Sequence, residues 1–182
     1  MQGHTIAGSF MSSKIFKIRQ ALLIPFAINT GLLLILLCLS IFFKGSPIER
    51  IVLTVIFIPT LILFLEAANR TATMGEQGII LRKFLRKRDL RWEDITHVGC
   101  LIIRKRVYLL LTTTKGFHIL SNAYDDFSAL VGSIVDHVGI DKSEEEVRHQ
   151  IENPLKNSSD LVSMWFAVIV IAGIIIMKIL PV

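Results

Sequence analysis

The feature that most constrains this chain of 182 residues is the run 21–43, which contains no charged side chain. As an α-helix with a rise of 1.5 Å per residue, this run would measure roughly 35 Å and could cross the hydrocarbon core of a bilayer. Two further runs, about 51–68 and 160–182, are similarly apolar. The whole chain is 52% hydrophobic and only 19% charged, which is more apolar than a soluble domain. We therefore predict an integral membrane protein with three transmembrane α-helices.

The first two apolar runs are separated only by the short loop 44–50, which favours an antiparallel transmembrane hairpin over residues 20–68. A cleaved signal peptide is a poor alternative for the first run, because its apolar part would be about 7–15 residues long. Asn29 belongs to a small polar spot that could contact a neighbouring helix. Lys178 lies near the end of the third span, where its side chain could extend outward into the interface.

Lysine and arginine are concentrated on the two flanks of the hairpin. Lys14, Lys17 and Arg19 precede it and a larger group follows it, whereas the loop 44–50 has only Lys44 and Arg50. Cytoplasmic flanks carry the excess of Lys and Arg in membrane proteins. The pattern therefore predicts a multi-pass protein of the inner (plasma) membrane, with a cytoplasmic N-terminal tail (1–19), a cytoplasmic region after residue 68, and the C-terminus outside.

Residues 69–140 have the pattern of a small globular domain. Six short runs of β-type residues, separated by turn residues, predict a meander of six or seven strands. Apolar residues then recur with helical spacing over 123–138, with Asn122 as the N-cap and Gly139 as the stop. We interpret the acidic stretch 141–159 as a solvated linker to the third span.

Three features of this domain occur in combination: the segment Gly78–Leu81, the segment Leu90–Val98 with its Trp-Glu-Asp-Ile turn, and the single closing helix. Together they resemble the bacterial pleckstrin-homology-like (PH-like) domains of membrane proteins formerly grouped as a domain of unknown function. The resemblance implies a mixed fold, in which three transmembrane helices carry a cytoplasmic β-meander or barrel capped by one C-terminal α-helix. Trp92 and Ile95 are expected to be core anchors on either side of the turn.

Charge is distributed unevenly over the domain. From Arg70 to Arg106 there are ten Lys or Arg and four Asp or Glu, a net charge of +6, whereas Ser121 to Asp160 has a net charge of −6. Five bases flank a predicted turn and are named here the basic hairpin: Arg82, Lys83, Arg86, Lys87 and Arg88. They could bind anionic headgroups, at about 1 kcal/mol per base, or an acidic protein partner. Alternatively, they only determine topology. Nucleic acid is not favoured, because no row of aromatic residues could stack with bases.

The sequence contains no recognisable catalytic or metal-binding motif. It has neither a Gly-x-Ser-x-Gly nucleophile turn nor a phosphate-binding loop, and its two Cys and five His lack metal-ligand spacing. We therefore expect no enzymatic activity, no cofactor and no metal. Two functions from different classes stay open. The first is a membrane-anchored adaptor that binds protein or anionic lipid at the cytoplasmic face, and the alternative is a structural or assembly subunit of a larger membrane complex.

Overall fold

The computed structural model describes residues 14–43, 45–103, 106–152 and 159–180. Lys44 of the predicted loop, Arg104 and Lys105 of the basic stretch, residues 153–158 of the predicted linker, and both ends of the chain lie outside these ranges. In chain order the elements are β1 (Lys14–Lys17), α1 (Gln20–Phe42), α2 (Pro47–Ala68), β2 (Thr71–Gly75), β3 (Gly78–Lys83), β4 (Arg86–Arg91), β5 (Ile95–Ile103), β6 (Arg106–Thr113), β7 (Gly116–Ser121), α3 (Phe127–Val138), α4 (Glu145–Glu152) and α5 (Ser159–Ile179).

Helices α1, α2 and α5 are each long and apolar enough to cross a membrane. Helix α2 begins one turn earlier than predicted, because Ser46 Oγ accepts a hydrogen bond from the Glu49 N–H and Pro47 is suited to the first helical position. Helix α1 packs against both α2 and α5. The predicted polar contact is present, since Asn29 Nδ2 donates to the Met164 carbonyl at 3.0 Å. Lys178 forms an ion pair with Glu49 in the first turn of α2, at the end of the helices that carries the short loop.

The strands form two antiparallel sheets, one in the order β1-β2-β3-β4 and the other in the order β5-β6-β7. The six predicted runs form β2 to β7. Strand β1 was not predicted, because it lies in the segment interpreted as an N-terminal tail. It pairs with β2, with Lys17 opposite Thr71, and its Phe16 side chain is buried. The domain is therefore discontinuous in sequence, and the α1–α2 hairpin is inserted between its first two strands.

Helix α3 buries the predicted apolar face against both sheets, and its buried residues are Phe127, Leu130, Val131, Ile134, Val135 and Val138. The helix begins at Phe127, so Asn122 is not its N-cap. Asp126 precedes it with a left-handed φ of 48°, while Tyr124 is buried and forms a β-bridge with Ile18. The chain between β7 and α3 thus packs against the N-terminal strand and does not extend the helix.

The acidic stretch after α3 is not wholly a solvated linker. Val147 of α4 is completely buried in the domain core. The Glu144 N–H donates to the Val98 carbonyl at 3.1 Å, and its carboxylate accepts from the Cys100 N–H at 3.0 Å and contacts His97 Nε2 at 3.0 Å. The contact with His97, followed by the hydrogen bond from Cys100, lowers the pKa of the Glu144 carboxyl group. These bonds cover the edge of β5 that does not pair with β6.

Trp92 is the first residue of a single 3₁₀ turn, Trp92–Asp94, that connects the two sheets, and Ile95 directly follows this turn. Ile95 is completely buried. Trp92 is only partly buried, with its ring stacked on His137 at a centroid distance of 4.7 Å and its Nε1 donating to the Gly75 carbonyl at 3.0 Å. Trp92 therefore lies at the margin of the core, whereas Ile95 lies inside it.

This difference in burial predicts how much each of two substitutions lowers the free energy of unfolding. Ile95→Ala should lower the free energy of unfolding by about 2–5 kcal/mol, because it leaves a cavity at a fully buried position. Trp92→Ala should cost only about 1–2 kcal/mol, because less apolar surface and one exposed hydrogen bond are lost. Urea unfolding of the full chain in mild detergent, followed by far-UV circular dichroism, measures both. An equal or larger cost for Trp92→Ala would contradict the prediction.

Candidate functional site

The turn between β3 and β4 lies at the end of the domain to which the α1–α2 hairpin is attached. In the register of the first sheet, Lys17, Thr71, Arg82 and Lys87 occupy successive opposing positions across the four strands. Lys17 is three residues before α1, and the β3–β4 turn extends two residues beyond this level. The side chains at its tip, Phe84 and Leu85, are exposed, the second by 86%.

Strand alternation divides the basic hairpin into two faces, because successive side chains of a strand point to opposite sides. Lys83 is opposite Arg86, and Arg88 is opposite Leu81, so these three bases share the face of the core residue Leu81. Arg82 and Lys87 are opposite one another on the other face. Lys87 is also ion-paired with Asp89 at 3.5 Å.

Lys83, Arg86 and Arg88 line a cavity of about 740 Å³ between the two sheets and the apolar helices. Its basic lining consists of Arg19, Arg70, Lys83, Arg86, Arg88 and Arg106. Its apolar lining includes Leu22, Leu23 and Phe26 of α1, Ala67 of α2 and Met164 of α5. The cavity therefore joins a cationic wall from the domain to an apolar wall from the helices, at the level of the first turns of α1. This surface is named here the basic cavity.

The basic cavity carries a large excess of positive charge. Asp160 is the one carboxylate among its described lining residues, and it binds Arg106 at 2.8 Å. This bond raises the pKa of the Arg106 guanidinium. The other five bases form no ion pair with any described residue, so no described carboxylate balances their charges at ion-pair distance.

His118 of β7 also lines the basic cavity, and the positive charges of the cavity affect the pKa of its imidazole. Partial burial lowers the pKa of its imidazole, and the charges of Arg88 and Lys83 lower it further. His118 is therefore mainly neutral near pH 7, and it would gain a proton more easily if an anion entered the cavity.

The structure thus brings together three of the five predicted bases and leaves Arg82 and Lys87 outside. Sequence reasoning missed Arg19 and Arg70 as site residues, although both lie directly beside predicted spans, and it missed His118. Within the described ranges, no three His, Cys, Asp or Glu side chains are grouped so that they could hold a metal ion. The arrangement suits the binding of an anion.

Comparisons with protein-family models, with curated proteins and with solved structures find no match for this chain. The class of protein is therefore defined by the fold and the basic cavity. Two antiparallel sheets pack on helix α3, and this domain is attached to three helices that are each long and apolar enough to cross a membrane.

Proposed function

We propose that this protein is a non-enzymatic, membrane-anchored module whose PH-like domain binds anionic lipid headgroups at the cytoplasmic face of the inner membrane. The observation that carries the proposal is the basic cavity, in which five bases without ion-pair partners among the described residues face an apolar wall made by the candidate spans. A four-stranded and a three-stranded antiparallel sheet, followed by the core helix α3, support the PH-like assignment.

The position of the basic cavity favours a lipid over a soluble protein partner. Phe26, at its apolar wall, packs edge-on against Phe64 of α2 with a ring-centroid distance of 5.7 Å. Arg19 and Arg70 lie one residue before α1 and two residues after α2. Bases that flank a span at this distance lie at headgroup level when the span is in a bilayer. An anion in the cavity would therefore be next to the acyl region, as a lipid phosphate is.

Exposed apolar residues at the same end of the domain support contact with the bilayer. Phe84 and Leu85 form the β3–β4 turn, and Leu101, Ile102 and Ile103 end strand β5, which pairs with the start of β6 beside the basic cavity. Exposed contiguous apolar residues mark interaction surfaces. Insertion of these two tips among the headgroups would remove that surface from water.

The proposal requires the domain to be cytoplasmic, which gives a topology prediction. A cysteine placed at the exposed Asp89, in a chain with Cys38 and Cys100 replaced by Ser, should react with a membrane-impermeant maleimide only after the cells are opened. A cysteine added after Val182 should react in intact cells. Labelling of the Asp89→Cys protein in intact cells would overturn the orientation.

The binding proposal is tested with the full chain reconstituted in an equimolar mixture of phosphatidylglycerol and phosphatidylcholine, and then extracted into mild detergent. Mass spectrometry of the retained lipid should show phosphatidylglycerol enriched roughly tenfold or more, as expected for several near-surface bases. Enrichment should fall as salt rises, because added ions screen the bases. Equal retention of both lipids would reject the proposal. Retention of a stoichiometric protein partner from native membranes, without lipid enrichment, would favour the alternative, a subunit of a larger complex.

A further inference from the structure

A second concave surface continues the basic cavity along the helices. It is a groove of about 390 Å³ with Asn29 and Leu33 of α1 at its base, Thr60 of α2 on one side, and Ala167 and Ile171 of α5 on the other. Since α1 packs against both α2 and α5, the groove lies over α1 between its two neighbours. It is named here the α2–α5 groove.

The α2–α5 groove and the basic cavity are contiguous. Phe26, Arg106, Asp160 and Met164 line both of them. The Arg106–Asp160 ion pair marks the junction, so a molecule that extends past this pair would have its anionic end among bases that form no ion pair with a described residue, and its other end among helix side chains.

The length of the groove along the helix axis is close to the thickness of one leaflet of a bilayer. Its lining on α5 extends from Asp160 to Ile171, with Ser163, Met164 and Ala167 at the helical spacings that form one continuous stripe. These eleven steps measure roughly 16 Å along the helix axis. The hydrocarbon core of a bilayer is about 30 Å thick, so the stripe covers about half of it. Beyond the groove, the Glu49–Lys178 ion pair connects α2 to α5.

A buried polar atom beside the groove lacks a hydrogen-bond partner among the described residues. Asn29 is only 8% exposed, and its Oδ1 accepts no hydrogen bond from any described residue while its Nδ2 is used by Met164. An acceptor buried without a donor is destabilising.

We propose that the ligand of the basic cavity is a complete anionic phospholipid, with its phosphate among Lys83, Arg86 and Arg88 and one acyl chain in the α2–α5 groove. This inference rests on the proposed function and adds the ligand class, because a soluble phosphate would occupy the cavity and leave the groove empty. Specific retention of one lipid then depends on groove shape as well as on charge.

The test fills the groove. Ala167→Trp should reduce retained phosphatidylglycerol at least tenfold in the reconstitution and extraction experiment, because the larger side chain occupies the space of the acyl chain. Val170→Trp is the matched control, since Val170 of the same helix is 44% exposed and does not line the groove, and its retention should be unchanged. Full retention by Ala167→Trp would overturn the inference.

Two further measurements keep the outcomes separate. Phosphatidylglycerol with a photoreactive group in its acyl chain should crosslink, in the unmodified protein, to Met164, Ala167 or Ile171 in preference to the exposed Phe166 and Val170. Soluble glycerol phosphate should displace the lipid poorly, and displacement at comparable concentrations would indicate that the phosphate alone is the ligand and would overturn the inference.

Loss of lipid in Arg86→Gln/Arg88→Gln but not in Ala167→Trp would reject only the groove, whereas equal retention by all these proteins would reject the proposed function itself.

Discussion

The double variant Arg86→Gln/Arg88→Gln is expected to retain about 30-fold less phosphatidylglycerol than the unmodified chain, and Arg82→Gln/Lys87→Gln about as much as the unmodified chain. The two variants lose the same charge from the same hairpin, but only Arg86 and Arg88 line the basic cavity. Each base in contact with anionic lipid contributes about 1 kcal/mol, so removal of two lowers affinity by about 2 kcal/mol, at 1.4 kcal/mol per tenfold. The measurement is mass spectrometry of retained lipid after reconstitution.

This comparison separates binding from topology. If the basic hairpin only determined orientation, the two variants would behave alike, because positive-inside orientation depends on the number of bases near a span and not on the face that they occupy. Equal loss in both variants, or no loss in either, would therefore contradict a lipid site in the basic cavity. Thermal unfolding of both proteins in detergent controls for misfolding.

The ionisation of His118 provides a second measurement on the same proteins. With neutral lipid, burial and the charges of Arg88 and Lys83 hold the pKa of His118 below its ordinary value. A phosphate in the basic cavity offsets these charges, so the pKa should rise with anionic lipid. By linkage, binding should strengthen as the pH falls through the pKa of the bound state. Nuclear magnetic resonance of labelled histidine in nanodiscs should detect this rise in Arg82→Gln/Lys87→Gln but not in Arg86→Gln/Arg88→Gln.

The second large effect concerns the discontinuous domain. A fragment of residues 69–140 is expected to be unfolded in water, because it lacks Phe16 of β1, the adjoining Ile18 and Val147 of α4, all of which are buried in the core. Each such side chain contributes about 1.5–3 kcal/mol through burial. Their combined loss approaches the 5–15 kcal/mol of a typical domain. The fragment would also expose the edge of β2.

A rearranged chain provides the matched control. Residues 14–18 joined through Asn-Gly to residues 70–152 should fold and remain soluble without the helices, because Lys17 is already opposite Thr71 and Asn-Gly suits a two-residue hairpin turn. Cooperative unfolding by circular dichroism and dispersed amide resonances are the expected signs. A cooperatively folded 69–140 fragment would show that β1 and α4 are dispensable and would contradict the prediction.

Local patterns predicted much of this molecule. The three apolar helices follow from runs of side chains that a bilayer accepts and water does not, and the six runs that became β2 to β7 follow from their own residue types and turns. The buried face of α3 follows from helical spacing, since Phe127, Leu130 and Ile134 recur on one side whatever they pack against. In each of these cases the signal lies within a few residues of the element that it specifies.

Only the tertiary structure decided which residues meet across long stretches of sequence. The tetrapeptide Lys14–Lys17 carries little strand signal of its own, and it is a strand because β2, beyond the whole hairpin, offers it a partner and the core accepts Phe16. Val147 is in an acidic segment, and it is buried because the domain core accepts its side chain. The basic cavity likewise depends on pairing register, which directs Lys83 and Arg86 inward and Arg82 outward, and on the packing that brings Arg19, Arg70 and His118 beside them. Because a shift of one residue in that register would reverse every side chain of the hairpin, composition alone could count these charges but could not separate the two faces.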